Sequence, residues 1–366
     1  VETHPLMRDL VKRARACRYT QITNPCGEIS LFMLGGYCVI ADVVPYHAAD
    51  DDDAEAAFRA AARALIRVNL MDCLYRPETR RTNRIGVGIT GLHEWALKRF
   101  GLGFREMIDE RRARPFWMML ARFKRAVRDE AVRYSAALGL TAPHTDTTIK
   151  PAGTTSKLFG LTEGAHLPSM REYLRWVQFR NDDPMVREYT AKGYPVRKLT
   201  TYRGTTVVGF PTKPEIVRLA DELGLTEALV TAGEATPEEQ YRYLQLIEKY
   251  WIQGVDEQGE PILPDTGNQV SYTLKYDPRS VSYEAFRAAV LDLQPTVRAC
   301  AVMPQADSTA YEYQPEEPVT KAEYELIAAA IAGVQAKEEV GREHVDCASG
   351  VCPIDFGTNE ASQKAA

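Results

Sequence analysis

Apolar positions recur with a helical period over residues 54–74, 108–138, 213–223, 237–252, 283–293 and 321–334. Two of these stretches open on capping boxes, Thr236 with Glu239 and Thr320 with Glu323, and Pro237 takes the first helical position of one. Between the helical stretches lie short runs rich in β-branched residues, at 37–44, 85–90, 176–180, 205–210 and 269–276. This alternation predicts an α/β architecture with a largely parallel sheet. So few strands cannot close an eight-stranded barrel, so the sheet is either open or part of something larger. The acidic run Asp50 to Asp53 reads as a solvated helix entry, where carboxylates are favourable. The tail after Val334 has little apolar content and reads as a mobile segment.

Composition narrows the class. With 366 residues, 45% apolar and 26% charged, the chain suits a soluble globular protein of one large domain or two ordinary ones. A net charge of -5 leaves no basic footprint, which argues against nucleic acid as a partner. The longest apolar stretch, 31–44, is broken by Gly35, Gly36 and Asp42 and falls short of a membrane span. No export signal is read. The cysteines, Cys17, Cys26, Cys38, Cys73, Cys300, Cys347 and Cys352, are odd in number and scattered, which suits a reducing cytoplasm with working thiols. No histidine is spaced with them as a tetrahedral metal site requires, so no metal site is expected. The chain opens on Val1 rather than Met, and a fragment, a processed product or one half of a split gene is expected.

Three motifs offer chemistry. Asn24-Pro25-Cys26-Gly27-Glu28 is a loop by its Pro and Gly, and an extended conformation points its amide, thiol and carboxylate to one side. By composition alone it reads rather as a turn before the apolar strand, holding an inert buried cysteine. Lys150-Pro151-Ala152-Gly153-Thr154-Thr155-Ser156 precedes a possible helical turn whose N–H groups and hydroxyls suit an anion, although taken alone it reads better as a plain helix cap. Cys347-Ala348-Ser349-Gly350-Val351-Cys352 spaces two thiols within disulfide reach on a polar tail, an arrangement suited to exchange. Gly86-Val87-Gly88-Ile89-Thr90-Gly91 has the spacing of a dinucleotide fingerprint but no acidic partner strand, so close strand-to-helix packing is the expected reason for its glycines.

In this order, together with Arg84 to Gly88, Gly164-Ala165-His166-Leu167-Pro168 and the strand near Gln269, the motifs resemble the large subunit of ribonucleotide reductases from Asn24 to Pro353. The resemblance implies the second half of a ten-stranded α/β barrel, its Asn-Cys-Glu loop forming a central finger. It implies that Cys26 carries a transient thiyl radical that takes the ribose 3′-hydrogen, that Glu28 is the general base for the 3′-hydroxyl, and that Asn24 binds the ribose hydroxyls. By position Cys38 matches one of two reducing cysteines; the other matches nothing in this chain. Gly153, Thr154, Thr155 and Ser156 would hold the substrate phosphates, and Cys347 with Cys352 would reduce the active-site disulfide and be renewed by thioredoxin or a similar dithiol.

No adjacent tyrosine pair occurs, no glycyl-radical loop is seen near the end, and the spacing of the terminal cysteines resembles the monomeric adenosylcobalamin-dependent branch, which reduces ribonucleoside triphosphates. Residues 1–334 are then expected to form the carboxy-terminal half of the barrel with cofactor-facing insertions, and 335–366 the tail with the dithiol. An amino-terminal half on another chain is expected to complete the enzyme. Two alternatives stay open: a diphosphate reductase fragment served by a separate radical subunit, and a non-catalytic thiol-exchange or scaffold homologue.

Overall fold

The computed structural model describes residues 21–32, 36–74, 76–305 and 311–338. Its strands run β1 (Gln21–Thr23), β2 (Ser30–Phe32), β3 (Val39–Val43), β4 (Ile85–Ile89), β5 (Thr147–Ile149), β6 (Tyr173–Arg180), β7 (Val196–Lys198), β8 (Thr205–Thr212), β9 (Gly267–Val270), β10 (Thr273–Tyr276), β11 (Ala301–Pro304) and β12 (Glu316–Pro318). The principal helices are α1 (Asp51–Val68), α2 (Arg76–Thr82), α3 (Leu92–Phe100), α4 (Arg114–Ala137), α5 (Pro184–Ala191), α6 (Glu215–Glu222), α7 (Pro237–Ile247), α8 (Tyr283–Leu293) and α9 (Lys321–Glu338).

The α/β architecture with a parallel sheet is present. Strands β3, β4, β5 and β9 lie side by side in that order, all parallel. Only Ser271 and Tyr272 separate β9 from β10, which pairs in parallel with β11. Parallel runs therefore continue across the molecule from β3 to β11. The strands expected at 176–180 and 205–210 do not join them. They form β6 and β8 of a separate sheet, ordered β12-β6-β8-β7, whose pairings are antiparallel. Alternation of strands with helices could not reveal this, because sheet membership is settled by long-range pairing.

Side-chain alternation explains how the parallel sheet is covered. Ile85, Val87 and Ile89 of β4 join α1 and α4 in one core, where Phe58 meets Phe123 at 4.9 Å and Trp251 at 5.2 Å between ring centroids. Helix α1 starts where the acidic run predicts, with the Asp50 carboxylate accepting from the amides of Asp52 and Asp53 at 3.0 and 2.8 Å. It ends at Val68 rather than 74. The next residue, Asn69, is buried and donates to Asn83 Oδ1 at 3.0 Å and to the Arg84 carbonyl at 3.1 Å, turning the chain towards β4. Both capping boxes form as read, with each glutamate accepting from the cap amide at 2.8 Å.

Helix α7 passes into a π-helical segment, Glu248–Gln253. This extra turn aims Trp251 at β5, where its indole N–H donates to the Thr148 carbonyl at 2.8 Å. Below, a buried ion pair joins Lys124 of α4 to Asp146, and Lys124 also donates to Thr147 Oγ1 at 3.0 Å and Thr266 Oγ1 at 3.2 Å. The short strand β5 is thus pinned on one side by α4 and on another by the π turn. Among the described residues, no helix is long and apolar enough to cross a membrane.

Candidate active site

The loop at residues 24–28 is the tip of an antiparallel hairpin, with Thr23 opposite Ser30 across β1 and β2. Asn24 closes it from within: its amide donates to the Ile29 carbonyl, and its side-chain oxygen accepts from the Ile29 amide, both at 3.1 Å. Gly27 sits at φ 78° and donates to the Asn24 carbonyl at 3.0 Å. A Cβ there would meet nothing within 4 Å, so the glycine answers to backbone conformation rather than to space. Cys26 is exposed at the tip, which removes the reading of an inert buried cysteine. Glu28, two residues on, is buried, and its Oε2 has no hydrogen-bond partner among the described residues.

The hairpin is seated on the end of the parallel sheet. The Gln269 amide donates to the Glu28 carbonyl at 3.0 Å, and the Thr148 hydroxyl lies 2.9 Å from both the Glu28 and the Gln269 carbonyls. Ser30 Oγ donates to Gln269 Oε1 at 2.5 Å. In the register of β3 and β4, Ile40 faces Gly86 and Asp42 faces Gly88. Alternation puts Asp42, Gly86 and Gly88 on the sheet face away from the helices. A Cβ on Gly86 would come 2.8 Å from Thr148 Cγ2, and one on Gly88 would come 2.5 Å from Asp42 Oδ1. The glycines of this strand therefore admit side chains from the strands beside them. That corrects the expectation of strand-to-helix packing, which holds only for Gly91, whose left-handed backbone opens α3 beside Leu161.

Asp42 and Cys38 lie on this cleared face, within electrostatic reach of Glu28. Burial pushes the Asp42 carboxyl above its ordinary range; Lys150, 3.1 Å away, opposes the rise and the Glu28 carboxylate adds to it. Cys38 lies one residue before β3. Burial pushes its thiol up to about 12, against Arg84 and a hydrogen bond with Thr145, with Glu28 again adding to the rise. Glu28 is thus electrostatically coupled to both Asp42 and Cys38.

The segment from Lys150 to Ser156 follows directly on β5. Ala152 takes a left-handed backbone, φ 56°, and its carbonyl accepts from the Ser156 amide at 2.9 Å. This bond forms the first turn of the short helix Thr155–Leu158 and leaves the amides of Gly153, Thr154 and Thr155 without a partner among the described residues. Thr154 is exposed and Thr155 half-buried, whereas Ser156 is fully buried with its hydroxyl unpartnered.

The structure therefore brings Asn24, Cys26 and Glu28 together on one hairpin, sets Glu28 near Cys38, and joins the 153–156 loop to the strand that holds the hairpin. Cys347 and Cys352 lie outside the described residues. Sequence reasoning missed Thr148, Asp42 and the docking role of Gln269. Asp42 had a signal, a carboxylate inside an apolar strand run. Thr148 had none, because a strand of three residues carries no readable period.

The fold is α/β, with a cysteine hairpin seated on the end of a parallel sheet, and solved structures share it. A B12-dependent (class II) ribonucleotide reductase superposes with a TM-score of 0.67 at 24% identity, over 88% of this chain and 44% of that one. The alpha subunit of the Actinobacillus ureae class Id ribonucleotide reductase superposes with a TM-score of 0.50 at 11% identity, over 78% and 53%. At these identities the likeness is one of fold.

In sequence, the chain is similar over 361 aligned residues to the adenosylcobalamin-dependent ribonucleoside-triphosphate reductases of Levilactobacillus brevis, 29% identical, and Lacticaseibacillus paracasei, 28% identical. Each alignment covers 91% of this chain and 45% of the relative, so the chain spans about half the length of the curated relatives it matches. The resemblance read from the motifs is to this same group of reductases. No family model matches the chain.

Proposed function

We propose that this chain is the finger-loop half of an adenosylcobalamin-dependent ribonucleotide reductase, acting on ribonucleoside triphosphates. The observation that carries the reading is the hairpin with exposed Cys26 and buried Glu28, seated on a sheet face cleared by Gly86 and Gly88. An inert scaffold has no use for a buried carboxylate with an unpartnered oxygen below an exposed thiol.

In this reading the Cys26 sulfur, as a thiyl, takes the ribose 3′-hydrogen, and Glu28 accepts the 3′-hydroxyl proton. The Asn24 side-chain oxygen is occupied by the Ile29 amide, which leaves its NH2 to donate to the ribose hydroxyls. The 2′-hydroxyl then departs as water with a proton from the reducing thiols, and at the end of the turnover Cys26 returns its hydrogen to C3′. Two thiols supply the two electrons and become a disulfide: Cys38, kept protonated by its raised pKa, and a second cysteine that the other half of the enzyme must bring. Cys347 and Cys352 lie past helix α9, which runs to Glu338 and so beyond the tail start expected at 335; they reduce that disulfide by exchange and are renewed by thioredoxin or a similar dithiol, in a reducing compartment such as the cytoplasm. The free amides of Gly153, Thr154 and Thr155, with nearby hydroxyls, hold the substrate phosphates.

Adenosylcobalamin, when bound, supplies the radical by homolysis of its cobalt–carbon bond. The fit on this side is the exposure of Cys26, whose sulfur is open to a group approaching the hairpin tip. The parallel runs β3, β4, β5, β9–β10 and β11 supply one half of a ten-stranded barrel. Among the described residues β3 pairs only with β4 and β11 only with β10, so both edges are available to an amino-terminal half on another chain.

The test is conversion of a ribonucleoside triphosphate to its deoxy form by this chain with adenosylcobalamin and a dithiol, with and without a co-expressed amino-terminal half, alongside Cys26→Ser. Turnover that requires both the partner and Cys26 is expected. Turnover indifferent to Cys26, or none from a well-folded complex, would sink the reading.

A further inference from the structure

A cavity of about 200 Å³ lies between the loop that follows the 153–156 turn, strand β10 and the antiparallel sheet. Its walls hold more cations than carboxylates: Lys157, Arg175, Lys213, Arg218 and Lys275 against Glu163 and Glu316. Lys157 is paired to Glu316 and to Glu163 at 3.4 Å, Lys213 to Asp221, and Arg218 to Glu215 at 3.1 Å. The other two cations form no ion pair among the described residues. Arg175 stands beside Glu316 in the register of β6 and β12, yet Glu316 is turned to Lys157, and Arg175 has no ion-pair partner among the described residues.

Lys275 is more informative. Its backbone is locked by buried Gln240, which donates to its carbonyl at 2.8 Å and accepts from its amide at 3.3 Å. The ammonium is half-buried and donates to the Ser169 hydroxyl at 2.7 Å, while Glu163 and Glu316 act on it only from beyond ion-pair distance. A fixed, partly desolvated ammonium with one neutral partner is an arrangement that an anion would complete. The rest of the lining mixes apolar Leu161, Leu167, Pro168 and Met170 with polar side chains such as Thr162 and Tyr173, and so suits the organic body of such a ligand.

We infer that this cavity is a binding site for a phosphate ester, with Arg175 and Lys275 as its anion ligands, distinct from the amides of the 153–156 turn. The chemistry has two possible sources, a free nucleotide or the phosphodiester tail of a corrinoid. The corrinoid source rests on the reductase reading, whereas the phosphate site itself does not, because its binding is measured without turnover.

The experiment titrates the full chain with inorganic pyrophosphate by calorimetry, comparing Arg175→Ala, Lys275→Ala and Arg175→Lys with Thr154→Ala, each checked for an unchanged melting curve. Loss of one charge-assisted contact should weaken binding about tenfold in each alanine variant of the cavity, and less in Arg175→Lys. Thr154→Ala should leave this binding in place. Pyrophosphate binding that Arg175→Ala and Lys275→Ala both leave unmoved, or no binding to the folded chain, overturns the site. Two further titrations separate the sources. Cobalamin absorbance changes that weaken in Arg175→Ala, while those of cobinamide, which lacks the phosphodiester, do not, assign the cavity to the corrinoid tail. Weakened binding of adenosine monophosphate in the same variant, with cobalamin unaffected, assigns it to a nucleotide. If neither ligand responds to the cavity variants, the site is rejected.

Discussion

Thr148→Val tests how the hairpin is held. Valine keeps the shape of threonine and removes the hydroxyl that lies 2.9 Å from both the Glu28 and the Gln269 carbonyls. One hydroxyl carries one proton, so a single hydrogen bond is lost, worth about 1 kcal/mol net. The Glu28 carbonyl keeps its bond from the Gln269 amide at 3.0 Å, which limits the penalty to that one contact. A change of this size raises the population of the undocked hairpin about fivefold. Native-state hydrogen exchange at the Gln269 amide reads that population, because this N–H is released when the hairpin lifts from β9. The expected result is exchange about fivefold faster at Gln269, with amides of the central strand β4 changed only by the global loss. If Gln269 exchanges no faster than β4, the hydroxyl serves the sheet alone and the docking argument fails. Ser30→Ala, which removes the bond to Gln269 Oε1 at 2.5 Å, should be non-additive with Thr148→Val, since both act on the same contact.

Two further outcomes follow from the same face of the sheet. Gly88→Ala places a methyl 2.5 Å from Asp42 Oδ1 in a fully buried strand, and a urea melt should show a loss of about 1–3 kcal/mol; an unchanged midpoint would mean that Asp42 moves aside freely. Cys38, its thiol pushed from 9.0 up to about 12 mainly by burial, should resist iodoacetamide at pH 8 to 9 while exposed Cys26 reacts. Between pH 9 and 12 the folded chain keeps a proton that the unfolded chain releases, so this group makes stability fall as pH rises through that window. Equal labelling of the two thiols at pH 8 to 9, by mass spectrometry, would contradict the placement of Cys38.

Much of the site was legible before any coordinates. The loop character of residues 24–28 follows from Pro25 and Gly27, and the turn at 152–156 from its small residues; both stand where they were read. The helix starts at Asp50, Thr236 and Thr320 were equally plain, because a cap is a local bargain between one side chain and one or two amides. The strands were read less well. Those at 147–149 and 301–304 passed unnoticed, the first too short for a period and the second lying beyond a helix with four residues of extended chain.

What the sequence determined by itself is whatever depends on near neighbours: the alternation of helices and strands, the caps, the hairpin tip with its cysteine, and the order of motifs that resembles a reductase. Tertiary structure decided the partners. It moved β6 and β8 out of the parallel sheet, gave the glycines of β4 to Asp42 and Thr148 rather than to a helix, and set Glu28 against Cys38 and Asp42. The reason is physical: strand pairing and side-chain approach join residues far apart in the chain, and such contacts leave no period or propensity at either end to be read.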